Sequence, residues 1–276
     1  MTLLFRFCSG LPLFVLHPIG WLLGWIAYWA SPSYRREFRK NAALAGISKR
    51  ATRRAVGESG KMVAELPRLW MGRLPPVEWH GTDLVETAFK AGRGVLFLTP
   101  HIGSFEATAL SYAERYGQKS HPMSVLFRVP RKPWLRDLVY LARGRPGLRG
   151  APATMAGVRL LLRALRAGEC VGLLPDQVPP KQLGEWAPFF GENAYTMTLS
   201  ARLIQQTGAF VVLVWGERRP WGRGFDVYVQ PLRATLDADM AIAAAQINQA
   251  MEEVILRRPD QYIWGYARYK NPRDSL

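Results

Sequence analysis

Cysteine is scarce in this sequence: Cys8 and Cys170 are the only two among 276 residues. They lie far apart and lack the spacing of metal ligands, so we expect neither a disulfide framework nor a metal site. The protein is expected in a reducing compartment. Acidic residues are also few, since 21 Asp and Glu face 37 Lys and Arg, for a net charge of +16. This surplus attracts polyanions and leaves nucleic acid, anionic lipid and acidic proteins as possible partners. With 49% apolar residues, a disordered chain is excluded and one globular domain with an appendage is expected.

The first forty residues favour lipid among these partners. Residues 11–30 read LPLFVLHPIGWLLGWIAYWA and carry no formal charge when His17 is neutral, and about 20 apolar residues is the length that spans a bilayer core. A basic run beginning at Arg35 follows, which disfavours export as a signal peptide and favours a cytoplasmic position for the rest of the chain. We therefore predict a membrane anchor over residues 1–40 and a cytoplasmic-facing domain over 41–276. A spanning helix, a bent hairpin in one leaflet and a buried core helix stay open.

Beyond residue 60, short apolar runs alternate with helical patterns. The strand patterns lie at 94–99, 123–128, 170–175 and 209–218, and the helical ones at 82–92, 104–116, 133–143, 154–167 and 237–258. This alternation predicts an α/β fold with a central, largely parallel sheet covered by helices. Residues 225–232 are expected to form an edge strand, and a long loop is expected before Tyr195.

Polar side chains follow the predicted strands at their carboxyl ends, where open α/β sheets bind ligands. His101 and Glu106 come after the first strand, Arg128 after the second and Asp176 after the third. His101 with Glu106 can form a base and the carboxylate that orients it. Ser104 lies between them outside any nucleophile-elbow motif and is interpreted as a helix cap. The pair is therefore expected to activate a hydroxyl of the substrate itself.

These residues also carry a resemblance. The segment HIGSFE at 101–106 matches the H-x4-D/E motif of glycerolipid-type acyltransferases. With TPHIGSFEA, VLFRVPRKPWL, GLLPDQ, APFFGENAYT and PDQYIWGYARYK in this order, the chain resembles the lipid A biosynthesis acyltransferase family, of lauroyl or myristoyl type. The loop QVPPKQLGEW after Asp176 departs from the family pattern, which leaves the substrate identity open.

The resemblance implies a membrane-associated O-acyltransferase of the glycerolipid acyltransferase-like fold at the bacterial inner membrane, with its catalytic domain facing the cytoplasm. His101 would deprotonate a hydroxyl of a lipid A precursor, Glu106 would orient His101, and the oxygen would attack an acyl thioester. The donor would be acyl carrier protein or acyl-CoA, and no cofactor is expected. Arg128 and Arg149 would hold acidic groups of the acceptor, and Asp176 would position a substrate hydroxyl or one of these arginines.

Other functions stay open at this point. The acceptor could be a lysophospholipid or another lipid, and the same pair acting on water would make a membrane-bound thioesterase or hydrolase. A nucleic-acid-binding protein would explain the charge and the segment RRPWGRGFDVY at 218–228. It leaves the apolar N-terminus and the histidine–carboxylate pair unexplained, so we expect no nucleic acid partner.

Overall fold

Helices and strands alternate in the computed structural model, which describes residues 2–130 and 132–274. The helices are α1 Thr2–Gly10, α2 Leu13–Ala30, α3 Pro32–Leu44, α4 Lys49–Ala64, α5 Leu66–Met71, α6 Thr82–Lys90, α7 Phe105–Tyr112, α8 Pro133–Arg143, α9 Met155–Arg166, α10 Leu199–Thr207 and α11 Met240–Arg257. The strands are β1 Val77–His80, β2 Val95–Leu98, β3 Met123–Phe127, β4 Leu148–Pro152, β5 Cys170–Leu173, β6 Gly184–Phe189, β7 Glu192–Met197, β8 Phe210–Arg218 and β9 Phe225–Pro231. A π-helical turn at Ala113–Gly117 extends α7, and short 3-10 helices occupy Pro220–Gly222 and Pro259–Gln261.

The central sheet has the order β1-β9-β8-β2-β5-β3-β4. Five neighbouring pairs are parallel and one, β8 with β9, is antiparallel. The predicted α/β fold with a largely parallel sheet is therefore confirmed. The central strand β2 is buried at all four positions, as expected for a strand that is covered on both faces.

Two local expectations were wrong. Strand β9 is not an edge strand, because β1 pairs with its outer side; β1 is only four residues long and lacks a continuous apolar pattern. The segment expected to be a long loop before Tyr195 instead forms the antiparallel hairpin β6–β7. Its sequence mixes polar and apolar residues, and its core positions, Ala187, Phe189 and Ala194, are buried only because the hairpin packs on α11.

The core lies on both faces of the sheet. Leu96, Leu98, Val171 and Leu213 point into one apolar cluster, while Val95, Phe97, Cys170 and Val212 point into the other. This division follows the alternation of side chains along each strand.

The N-terminal region packs against the rest of the chain. Helix α2 runs along α4, and the glycines of the two helices allow this close approach, because a Cβ at Gly60 would overlap the backbone oxygen of Gly20. The predicted anchor boundary at residue 40 falls inside α3. Ser31 begins α3 by accepting a hydrogen bond from the Tyr34 amide, with Pro32 at the first helical position.

Candidate functional site and family

The loop between β2 and α7 carries His101 and is fixed by its own backbone. The Gly103 amide donates to the Gln261 carbonyl oxygen at 2.9 Å, and the Ser104 amide donates to that of Gly216 at 2.9 Å. Gly103 has a φ of +53°, and any Cβ there would overlap the Gly216 oxygen, so this position requires glycine. The Ser104 hydroxyl accepts a hydrogen bond from the Ala107 amide, which confirms Ser104 as the cap of α7.

The His101 imidazole contacts a carboxylate that is distant in sequence. Its Nδ1 lies 2.7 Å from Oδ1 of Asp176, and the His101 amide donates to Oδ2 of the same carboxylate at 2.9 Å. Asp176 reaches His101 because β2 and β5 are parallel neighbours, so the segments that follow them meet at one edge of the sheet. An ionised carboxylate only accepts hydrogen bonds, so Nδ1 carries the proton and Nε2 is left with its lone pair.

Asp176 is fully buried, yet it is stabilised as an anion. Burial alone would raise the pKa of this carboxyl, but the positive charge that His101 carries when protonated and the two hydrogen bonds from His101 hold the pKa below its usual value. The Tyr262 hydroxyl donates a further hydrogen bond to Oδ2 at 3.1 Å. Burial and the neighbouring Asp176 charge raise the pKa of Tyr262 well above its ordinary value, so Tyr262 stays a donor at neutral pH.

Glu106 has a different contact from the one expected. This carboxylate lies in the first turn of α7, is buried, and accepts a hydrogen bond from the Trp70 indole N–H at 3.1 Å. The carboxylate at His101 Nδ1 is that of Asp176, which was expected to position a substrate hydroxyl or one of the two arginines. The five-residue spacing from His101 across the loop to the first turn of α7 favoured Glu106. Asp176 was not recognised, because only the parallel pairing of β2 and β5 brings a residue 75 positions away to the imidazole.

The open side of the imidazole meets an amide. The Gln177 side-chain nitrogen lies 3.2 Å from His101 Nε2 and can donate to its lone pair. The His101 ring also meets Phe105 edge-on, with centroids 5.0 Å apart. His101 is partly exposed, whereas its aspartate is closed off from solvent. The imidazole can therefore take a proton from a ligand at Nε2 while Asp176 stabilises the resulting charge.

An apolar cleft begins next to this ring. It lies between α7 and the sheet, and its walls include Phe105, Thr108, Tyr112, Phe97, Val125 and Leu174. Because its walls are mostly apolar, this cleft suits an apolar ligand group better than a polar one.

The two predicted arginines are placed differently. Arg128 directly follows β3 at the carboxyl edge of the sheet and is exposed, two strands from β2. Arg149 lies near the start of β4 and forms an exposed ion pair with Glu169, which precedes β5. From strand pairing, Arg149 is roughly 20 Å from His101. The structure therefore brings Arg128, but not Arg149, to the same edge as His101.

Two residues at the site were missed as functional groups, Gln177 and Tyr262. The signal for Gln177 was present, since it follows Asp176 after β5. Tyr262 belongs to the segment after α11 that pairs with Ile102, and nothing in its local pattern indicates this contact. Within residues 2–130 and 132–274, no three His, Cys, Asp or Glu side chains group as metal ligands.

The chain is similar to known bacterial proteins. The model of the bacterial lipid A biosynthesis acyltransferase family matches residues 10–271. The chain is 30% identical to the lipid A biosynthesis palmitoleoyltransferase of Escherichia coli K12 over 192 residues, which cover 69% of this chain and 60% of that protein. It is 27% identical to the myristoyltransferase of the same organism over 205 residues, covering 74% and 62%.

A third relative, the lipid A biosynthesis lauroyltransferase of Escherichia coli K12, is 31% identical over 118 residues, which cover 42% of this chain and 39% of that protein. The chain thus spans about three fifths of the length of the palmitoleoyl- and myristoyltransferases. The family match, in contrast, includes the loop of His101, the strands of the sheet and the segment of Tyr262. The chain therefore belongs to the bacterial lipid A biosynthesis acyltransferase family.

Proposed function

We propose that this chain is a membrane-associated O-acyltransferase that transfers a fatty acyl chain from an acyl thioester to a hydroxyl of a lipid A precursor or related glycolipid. The observation that carries the proposal is the His101–Asp176 pair beside Phe105, a residue that contacts the His101 ring and lines an apolar cleft. The relatives are named for the transfer of palmitoleoyl and myristoyl groups in lipid A biosynthesis, which supports the same reaction.

His101 is the general base of this reaction. The acceptor hydroxyl gives its proton to Nε2 as its oxygen bonds to the thioester carbon. The carbon–sulfur bond then breaks, and the imidazolium returns the proton to the leaving thiolate. Asp176 fixes the tautomer through Nδ1 and stabilises the imidazolium, as its hydrogen bonds and burial favour. Glu106, which contacts Trp70, is a positioning residue at the start of α7.

Gln177 is the donor we assign to the charge that develops on the thioester oxygen. Its amide nitrogen lies 3.2 Å from His101 Nε2, so an incoming hydroxyl displaces it and leaves the N–H group next to the reacting carbon. The backbone amides of Gly103 and Ser104 are less suitable for this task, since both already donate to backbone carbonyls.

The remaining parts of the substrates follow from shape and charge. The cleft beside Phe105 holds the acyl chain, and Arg128 contacts acidic groups of the acceptor. The donor is acyl carrier protein or acyl-CoA, both of which are anionic thioesters that the net charge of +16 attracts. The protein acts at the bacterial inner membrane, with this domain on the cytoplasmic side.

Mass spectrometry of the lipid product tests the proposal. Purified protein is incubated with a lipid A precursor in detergent micelles and with either acyl carrier protein or CoA loaded with lauroyl, myristoyl or palmitoleoyl groups. We expect a mass increase of one acyl chain on the precursor with at least one donor, and none with His101→Ala.

Two outcomes would change the assignment. Acylation of a lysophospholipid in preference to the precursor would keep the mechanism and replace the acceptor. Release of free fatty acid without an acylated lipid, at the same rate with and without acceptor, would make the protein a thioesterase and contradict the proposal.

A further inference from the structure

The outer face of α2 is apolar and uncovered. Helix α2 contains no charged residue when His17 is neutral, and its buried residues form one stripe toward the rest of the protein. The opposite face exposes seven large apolar side chains, Phe14, Ile19, Trp21, Leu22, Leu23, Ile26 and Trp29. Leu3, Leu4 and Phe7 of α1 are exposed as well. Apolar patches of this extent mark contact sites rather than ordinary solvated surface.

Helix α2 is the one helix in the described residues that is long and apolar enough to cross a bilayer, but its contacts oppose a crossing. Near its start, His17 Nε2 lies 3.3 Å from Oε2 of the buried Glu65. In its middle, Gly20 and Gly24 touch the backbone of α4. Near its end, Tyr28 packs edge-on against Phe38. The helix is therefore held to the protein along its whole length.

The partners of α2 would also have to enter the hydrocarbon if α2 spanned it. Glu65 accepts two hydrogen bonds from the Arg218 guanidinium, which in turn lies 3.4 Å from Glu58 on α4. Lys61 pairs with Glu58 on the same helix. Placing these charged groups in the hydrocarbon core would cost free energy. A helix that lies in the interface avoids this cost, because only its outer face contacts lipid.

A second exposed element adjoins the start of α2. Trp221 is 87% exposed at the tip of the turn between β8 and β9, and its φ is +59°. Its neighbour Gly222 packs against the backbone of Leu13 and Phe14. A tryptophan in left-handed backbone conformation that has almost no protein contact indicates a partner outside the chain.

We propose that α1, the outer face of α2 and Trp221 form one membrane-docking face, on which α2 lies in the plane of an anionic bilayer surface without crossing it. Tryptophans occur at both ends of this docking face, Trp221 at the start of α2 and Trp29 at its end, and indole rings prefer the headgroup region. This inference refines the membrane association of the proposed function and is independent of acyl transfer.

Cations flank both ends of the docking face. Arg6 of α1 and Arg223 are exposed at the first end. At the second end, Arg36 and Arg39 of α3 are exposed, while Arg35 donates to the Trp29 carbonyl and lies over its ring. Arginines that flank an apolar strip fit lipid phosphates on either side of a shallowly buried helix.

Vesicle binding tests the docking face. The full chain is mixed with vesicles of phosphatidylethanolamine containing about one third phosphatidylglycerol, without acyl donor, and bound protein is measured by flotation. We expect Trp221→Ser to lower the partition coefficient about tenfold, the usual value of removing one large apolar contact. We expect Arg223→Gln to lower it about fivefold on anionic vesicles only.

Ile242→Ser is the matched control. Ile242 is half exposed at the start of α11, far from α2, and its replacement should leave vesicle binding unchanged. Thermal melting establishes that each variant is folded. If Trp221→Ser binds vesicles like the parent, or if it loses binding to a single-stranded oligonucleotide but not to vesicles, the docking face is contradicted.

Depth measurements distinguish an α2 helix that lies in the membrane interface from one that spans the bilayer. In a Cys8→Ser background, Phe14→Cys, Leu22→Cys and Trp29→Cys are each labelled with an environment-sensitive fluorophore and quenched by spin-labelled lipids at known depths. We expect the three labels to report one common shallow depth. A deep label at residue 22 with shallow labels at residues 14 and 29 in opposite leaflets would establish a spanning helix and overturn the proposal.

Discussion

Two histidine–aspartate pairs in the described residues have similar nitrogen–oxygen distances but differ in burial and in their other partners. His101 and Asp176 are 2.7 Å apart, and His80 and Asp226 are 2.9 Å apart. Asp176 is completely buried and receives its hydrogen bonds from His101 and Tyr262. Asp226 is partly exposed and is bound mainly by Arg219, which contacts both of its oxygens and also Glu78.

The difference shows that a short histidine–aspartate contact is not sufficient for catalysis, because the second imidazole nitrogen must also be accessible to a substrate. Asp226 already has its charge neutralised by Arg219, whose hydrogen bonds are the main cause of its lowered pKa. His80 also stacks on Tyr228, with ring centroids 4.6 Å apart, and lies on the edge strand β1. His101 instead has its second nitrogen next to Gln177 and an apolar cleft. We therefore regard His80–Asp226 as an internal control for His101–Asp176.

The largest difference is expected on removing the imidazoles. His101→Ala should reduce acyl transfer about a thousandfold, because the proton acceptor is lost. His80→Ala should leave the rate within about twofold. The rate of acylated lipid formation, measured by mass spectrometry under identical conditions, compares the two variants. Equal losses would mean that His101 is structural or that His80 contributes to the site.

The aspartates provide the next comparison. Asp176→Asn should lower the turnover number at least about a hundredfold with little change in KM, because the amide no longer holds the proton on Nδ1 or stabilises the imidazolium. Asp226→Asn should leave turnover nearly unchanged. Thermal melting of both variants serves as the control for folding.

The third comparison is between the two carboxylates near His101. Glu106→Gln keeps a hydrogen-bond acceptor for Trp70 and leaves the Asp176 contact intact, so we expect a loss of only about tenfold. If Glu106→Gln were more damaging than Asp176→Asn, Glu106 would be the orienting carboxylate in the working enzyme, as its spacing from His101 suggested.

The smallest effect concerns stability at acid pH. The pKa of Asp176 is lowered in the folded protein, so the folded state binds fewer protons than the unfolded state when pH falls below about 4. The stability that this carboxylate contributes is present above that pH and is lost as pH falls through the lowered pKa. Asp176→Asn should therefore weaken the fall in unfolding free energy as the pH decreases below about 4, measured by urea denaturation down to the lowest pH at which the protein stays folded. An unchanged pH dependence would mean that Asp176 is not ionised when buried.

Much of the fold could be predicted from local pattern. Apolar runs identified β2, β3, β5 and β8, because strands covered on both faces have a near-continuous apolar sequence. The short strands β1 and β4 were missed, since four or five mixed residues resemble a loop until a neighbouring strand pairs with them.

The candidate site divides in the same way. The rule that ligands bind at the carboxyl ends of strands selected His101, Arg128 and Asp176. Arg149, which only the family resemblance suggested, lies near the start of β4, a strand that the sequence pattern did not reveal.

The sequence by itself determined the family, the α/β layering and the histidine at the sheet edge, because these depend on local composition and on motifs a few residues long. Only the tertiary structure decided which carboxylate meets His101 and which face of α2 is left uncovered. Both depend on which strands and helices become neighbours. The sequence between β2 and β5, or between α2 and α4, does not show that these elements pack side by side, because that contact forms only when the whole chain folds.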